Sequence, residues 1–261
     1  KISVIYWIGK FVVRKIIIRI LPGFADLLVN TGYGRKAIYE LAPENQLLLA
    51  HTVENLYYIV NSSDKVIGKS VYIEKKSFDS HLLTSALNLL SCHKSILIDV
   101  GANIGTIGVF GVSKGFFDKC IAFEPDPNNF KLLKHNISLN GLIDKFDLRN
   151  EALSDEDSGS LELELSEENH GDHRIRMKRN SGLYNEGNRK VISVAVNTLD
   201  NALKNVNLDE CLLFMDTQGF EGHILSGAKK LVDAVDEIAK IFWATKGVDY
   251  SDPNADVRYG A

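Results

Sequence analysis

Ile96-Leu97-Ile98-Asp99-Val100-Gly101-Ala102-Asn103-Ile104-Gly105 is an apolar run that ends in an acid, passes through a glycine turn and opens into a helical pattern. In open α/β sheets, ligands bind beyond the carboxyl ends of the strands, so this strand end marks a nucleotide-type site. Gly101 allows a sharp turn and a close backbone approach to a ligand, while Gly105, Gly108 and Gly111 leave one helix face bare for close packing. A dinucleotide fingerprint carries glycine where Asn103 stands, so that a pyrophosphate can reach the backbone. Asn103, together with the lack of a Tyr-x-x-x-Lys pair after the core strands, speaks against a nicotinamide oxidoreductase.

Outward from this stretch, strand and helix patterns alternate, which defines an α/β core. Strands are expected near 96–99, 121–124, 146–152, 191–196, 212–215 and 237–243, and helices near 104–115, 127–139, 198–204 and 221–234. Asp126 and Pro127 supply an N-cap and a first-turn proline for the second helix. The alternation in 161–165 predicts a further, half-buried strand, and the polar, Gly- and Asn-rich stretch 166–190 reads as a long functional loop or as disorder.

Ahead of the core, 56–60 reads as a strand, 61–64 as a turn, 66–73 as further strand and 78–90 as a helix. On a helical wheel Val12, Val13, Ile16, Ile17 and Ile20 share one stripe flanked by basic residues. That pattern suits a helix packed on its own domain, or one lying on a membrane surface. Lys10, Arg14, Lys15 and Arg19 interrupt the segment too often for a membrane span. The expected organisation is an amphipathic helix and small cap over 1–85, the ligand-binding domain over 86–245 and an atypical tail over 246–261.

With 30 Lys and Arg against 34 Asp and Glu, the net charge of -4 gives no general attraction for nucleic acid. Cys92, Cys120 and Cys211 lack disulfide or metal-ligand spacing, so buried free thiols, a reducing cytoplasm and no metal site are expected.

The second strand ends in Ala122-Phe123-Glu124-Pro125-Asp126-Pro127. Glu124 falls near the distance beyond the glycine turn, about 20 residues, at which a ribose-binding acid is expected. Together with Asn150-Glu151-Ala152-Leu153-Ser154, Asn197-Thr198-Leu199-Asp200 and Met215-Asp216-Thr217-Gln218-Gly219-Phe220-Glu221 running into Leu225-Ser226-Gly227-Ala228, these motifs resemble the FkbM-type S-adenosylmethionine-dependent methyltransferases. The resemblance covers roughly half of the chain, from Ile96 to Lys230. It implies a Rossmann-like class I methyltransferase fold with a doubly wound sheet, here with an N-terminal helical and β appendage. It also implies S-adenosylmethionine as cofactor and a hydroxyl of a sugar, other glycan or secondary metabolite as acceptor.

Carried over by position, Asp99, Gly101, Ala102, Asn103 and Gly105 would surround the methionine side of the cofactor, Glu124 and Pro125 its ribose, and Ala152 its adenine. Asp216 would face the reaction centre, as a cofactor contact or as the base that deprotonates the acceptor; Glu221 and His173 are further catalytic candidates. In the run Glu168-Asn169-His170-Gly171-Asp172-His173-Arg174, proximity to substrate or cofactor is expected of Asn169, Asp172 and His173. From about residue 235 the chain departs from the family pattern, as a truncation or frame change would make it do. A non-catalytic, cofactor-binding descendant of a methyltransferase is the rival expectation.

Overall fold

The computed structural model describes residues 29–88, 93–157, 159–176 and 189–234. The expected helix around 12–20, the strand 237–243 and the tail lie outside them, as does Cys92.

Helix α1 (Gly32–Leu41) is capped by Thr31, whose hydroxyl accepts from the Gly34 N–H at 3.0 Å. An antiparallel hairpin follows, β1 (Leu47–His51) and β2 (Tyr57–Asn61), with Ala50, Tyr58 and Val60 on its buried face. The stretch expected to continue as strand over 66–73 is instead helix α2 (Ile67–Glu74). The Asp64 carboxylate accepts from the N–H groups of Val66 (3.1 Å) and Gly68 (2.7 Å), which sets a helical start that overrides the strand preference of Val66, Ile67 and Val71. Helix α3 (Ser80–Leu87) leads into the core.

The core runs β3 (Ile96–Val100), α4 (Thr106–Ser113), β4 (Lys119–Phe123), α5 (Pro127–Leu139), β5 (Phe146–Arg149), β6 (Ala152–Leu153), β7 (Ser160–Leu165), β8 (Arg174–Ile175), β9 (Lys190–Asn197), α6 (Leu199–Ala202), β10 (Cys211–Met215), α7 (Glu221–Ser226) and α8 (Lys229–Ala234). The first sheet has the order β10-β3-β4-β5 and is parallel throughout. The chain winds from β3 outward to β5 and then returns on the other side of β3 as β10, which puts the topological switch between β3 and β10. A second sheet, β6-β9-β7-β8, stands beside it.

Three further elements differ from the sequence expectation for local reasons. The strand over 146–152 divides, because the Asn150 amide donates to the carbonyls of Glu124 (2.8 Å) and Pro125 (3.2 Å) and the chain then joins the second sheet through β6 and β9. The helix after β3 starts only at Thr106, since Asn103 (φ 50°) and Gly105 (φ 89°) are left-handed. The helix over 221–234 breaks at Gly227, where a β-carbon would lie 2.1 Å from the Ser154 carbonyl oxygen.

One hydrophobic core runs from the N-terminal region, through Tyr39, Tyr58 and Val60, to Leu97, Phe123, Leu133 and Ile224 of the α/β layers. Cys120 and Cys211 are buried free thiols within it. The outer edge of β2 meets α5, where two asparagines one turn apart take the place of a neighbouring strand. Asn136 accepts from the Ile59 N–H at 2.6 Å and donates to the Ile59 and Ile104 carbonyls, and Asn140 accepts from the Tyr57 N–H at 3.0 Å and donates to its carbonyl at 2.8 Å. The hairpin is thereby fixed to the core and its edge closed to further pairing. No helix among the described residues is long and apolar enough to cross a membrane.

Candidate active site

At the carboxyl ends of β3, β4 and β10 lies a solvent-open cleft, the place where ligands bind in open α/β sheets. Val100, Gly101 and Asn103 form its floor, and Glu124 and Pro125 line one side with Asn129 of α5. Glu151, Ala152 and Leu153 come from the crossing between the sheets, Asp216 and Thr217 from the end of β10, and Phe220 and Ile224 from α7 and the turn before it. His170, Gly171, His173 and Ile175 also line it, and the His170 carbonyl is held by Asn103 and Asn129.

Gly101 is held in place from two directions. Its N–H and that of Ala102 both donate to the Phe123 carbonyl at 3.0 Å, and the Asp216 N–H donates to the Val100 carbonyl at 3.0 Å. The two loops at the switch are therefore pressed together. Glu124 is buried, yet each carboxylate oxygen accepts a backbone N–H at 2.8 Å, Oε2 from Asn103 and Oε1 from Asp126. Burial outweighs these bonds and pushes its pKa up to about 8. Asn103 orders the turn as well: its Oδ1 accepts from the Ile104 N–H at 2.7 Å and its amide donates to the His170 carbonyl at 2.9 Å.

Of the residues expected around a cofactor, Gly101, Asn103, Glu124, Pro125, Ala152 and Asp216 line the cleft. Asp99 does not reach it. Its side chain lies under α4 and accepts from the Gly108 N–H, while Oδ2 is buried without a hydrogen-bond partner. Burial pushes its pKa up to about 7; the Gly108 bond opposes the rise and the Asp216 charge adds to it. Ala102 and Gly105 also lie off the cleft wall and shape the turn, Gly105 packing so closely on Leu133 that a β-carbon would come within 2.6 Å.

The three catalytic candidates separate. Asp216 lines the cleft, with Oδ1 accepting from the Gln218 amide at 2.9 Å. Glu221 lies off the cleft, its Oε1 accepting the N–H groups of Thr217 (2.9 Å) and Gly219 (3.3 Å), so that it braces the turn after β10. His173 lines the cleft, but Nδ1 accepts the Ser166 N–H at 3.0 Å and Nε2 faces Asp126 Oδ2 at 3.6 Å. Burial pushes the Asp126 carboxyl up, but His173 and the Asn129 N–H outweigh it and hold it below the ordinary range.

Asn169 and Asp172, expected near the ligand, are used within their own loop. Asn169 accepts from the Gly171 N–H at 3.0 Å, and Asp172 is paired with Arg174 at 2.7 Å and Arg189 at 2.6 Å. Just after this loop, Arg176 pairs with Glu162 and Glu164. Asn129 and His170 line the cleft without having been singled out; a polar residue in the first turn of a helix that starts at a strand end was the available signal for Asn129. No group of three or more His, Cys, Asp or Glu suited to a metal ion occurs among the described residues.

A doubly wound parallel sheet whose switch point opens into a cleft with a buried acid on the neighbouring strand defines a Rossmann-like ligand-binding protein. The methyltransferase FkbM domain model matches residues 99–250, and the chain belongs to that family. The match continues past residue 235, where the sequence pattern was expected to depart. No curated protein matches the chain. Among solved structures it is similar to P. horikoshii TYW2 in complex with MeSAdo (21% identity, 46% of this chain and 41% of that one, TM-score 0.31). It is also similar to M. jannaschii TYW2 in complex with AdoMet (16% identity, 41% and 44%, TM-score 0.31). The chain thus spans less than half the length of each.

Proposed function

We propose that this chain is an S-adenosylmethionine-dependent methyltransferase acting on a hydroxyl oxygen of a sugar or secondary metabolite. The observation that carries the cofactor is the convergence of Gly101, Glu124 and Asp216 on one cleft at the switch point. The residues fit the group. Glu124 is fixed by two backbone N–H groups beside the cleft, where its carboxyl can hydrogen-bond ribose hydroxyls, and the buried Asn129 Oδ1 on the cleft wall has no partner and can accept a further hydroxyl. The Asn103 side chain crosses the glycine turn to His170, where a pyrophosphate would need bare backbone. Family membership supports methyl transfer as the reaction.

Gly101 and Asn103 would hold the methionine portion, Glu124 and Asn129 the ribose, and Ala152 the adenine. The cofactor supplies an electrophilic methyl group on a sulfonium centre. Asp216 takes the acceptor hydroxyl's proton as its oxygen becomes nucleophilic, a contribution of typically about 10²–10⁴ in rate. The walls align the acceptor and exclude water. Glu221 serves by holding the turn that carries Asp216.

Calorimetric titration with S-adenosylmethionine, S-adenosylhomocysteine and NADH tests the reading, comparing the native chain with Glu124→Ala and with Glu124→Gln, which keeps an acceptor for the turn. Binding of the two sulfur compounds, weakened at least about tenfold in both variants, followed by turnover in a sugar-first acceptor screen, is the expected result. A folded chain that binds neither, or binds NADH tightly instead, overturns it.

A further inference from the structure

The stretch 166–173 is tied both to the α/β core beside the cleft and to the N-terminal region. At its tip the His170 carbonyl accepts from the amides of Asn103 (2.9 Å) and Asn129 (3.0 Å), one on the glycine turn and one on α5. Behind it, the Lys65 N–H donates to the Glu168 carbonyl at 2.6 Å and Gly171 packs so closely on Ile67 that a β-carbon would come within 2.4 Å. The Asp172 carboxylate joins Arg174 and Arg189, closing the base of the loop onto the start of β9.

His173 is the centre of this arrangement. Its ring is nearly buried, and because Nδ1 accepts the Ser166 N–H, the neutral ring carries its proton on Nε2, toward Asp126. At 3.6 Å from Asp126 Oδ2 this contact is longer than an ordinary hydrogen bond, between side chains 10% and 3% exposed. With both nitrogens engaged, the ring has none to offer an acceptor's proton. Asp126 in turn gives its N–H to Glu124 Oε1, so the anchor of the loop and the acid of the cleft are parts of one hydrogen-bonded unit.

The cleft wall beside this unit is incomplete. Asn129, 1% exposed, uses its amide on His170 while its Oδ1, buried and without a partner, belongs to a residue lining the cleft. Gly171 and His173 line the same cleft as Glu124, and His173 is linked to Glu124 through Asp126.

Resting on the cofactor reading above, we infer that 166–173 is a clasp across the ribose end of the bound cofactor, and that His173 is its positioning residue, locking the clasp to Asp126. The clasp must lift for the cofactor product to leave, so His173 governs the dissociation rate more than the association rate.

Three replacements dissect the contact. His173→Gln can reach Asp126 with an amide donor, His173→Asn can satisfy the Ser166 N–H but falls short of Asp126, and His173→Ala does neither. The probe is labelled S-adenosylhomocysteine, with on- and off-rates measured on the full chain by filter binding and chase, and folding checked by thermal melting. His173→Ala and His173→Asn should release the probe roughly tenfold or more faster, with on-rates within about threefold of native and His173→Gln restored to within about threefold of native. If His173→Ala does not fold, the Asn and Gln pair carries the same comparison. Off-rates alike in all folded variants, or His173→Gln as fast as His173→Asn, would overturn the assignment. Failure of the native chain to bind the probe would instead refute the cofactor reading.

Discussion

A β-carbon placed on Gly101 would lie 2.1 Å from the carbonyl oxygen of Asp216, and Gly101 itself is left-handed at φ 83°. The carbonyl is backbone, fixed by the pairing of β10 with β3, and cannot step aside. Gly101→Ala therefore meets both a steric and a torsional penalty, together about 2–3 kcal/mol. The melting temperature should fall by roughly 5–10 °C and S-adenosylhomocysteine binding should be lost. A variant with native melting temperature and affinity would show that the two loops can separate at little cost.

Asp216 and Glu221 sit five positions apart and are assigned different work, one facing the cleft and the other bracing the turn. Asp216→Asn should keep cofactor affinity within about threefold and lower turnover by about 10²–10⁴. Glu221→Gln retains an oxygen for Thr217 and Gly219 and should lower turnover much less. Steady-state rates on the acceptor found by screening decide the matter, and equal losses in the two variants would remove Asp216 from the role of base.

The carboxyls of Asp99 and Glu124 titrate near pH 4 in an unfolded chain, whereas burial pushes them up to about 7 and about 8 in the fold. Between those values the folded protein keeps protons that the unfolded chain has released. Their contribution to stability is therefore complete below about pH 4 and is lost as pH rises through about 7 to 8. Urea unfolding of the ligand-free protein should show stability declining over this window, by at most about 1.4 kcal/mol per pH unit for each group. Asp99→Asn, which keeps an acceptor for the Gly108 N–H, should flatten the decline and be more stable than the native chain at pH 8. An unchanged slope would place the titration elsewhere.

Asn136 carries three backbone contacts at once, to Ile59 N–H, Ile59 carbonyl and Ile104 carbonyl. Asn136→Ala leaves buried polar groups without partners, at about 1–3 kcal/mol each before relaxation. Amide exchange at Ile59 should accelerate along with a drop in overall stability. Slow exchange at Ile59 in the variant would mean that the edge of β2 is protected by something other than α5.

The sequence was most readable where structure is decided locally. Helix α5 begins where Asp126 and Pro127 announce it, and β3 ends in the turn that Gly101 requires, because a cap and a glycine each act within a few residues. Helix α2 was not readable, since its β-branched residues favour a strand and only the Asp64 carboxylate, folding back on Val66 and Gly68, reverses the preference. The break between β5 and β6 depends on Asn150 reaching Glu124 and Pro125 across the fold. The same applies to the site. Gly101, Glu124 and Asp216 reach the cleft because strand ends converge there by topology, whereas His173 is engaged by Ser166 and Asp126 through a loop whose path no short motif encodes.

The second sheet carries its own small apolar cluster, Ala152, Leu163 and Val194, and the chain enters it at Asn150 just after leaving the first sheet. It supplies part of the cleft wall without taking part in the parallel hydrogen bonding of the first sheet. Loops of the second sheet can therefore change in length or sequence without touching the hydrogen bonds that hold the turn at Gly101 and the acid at Glu124.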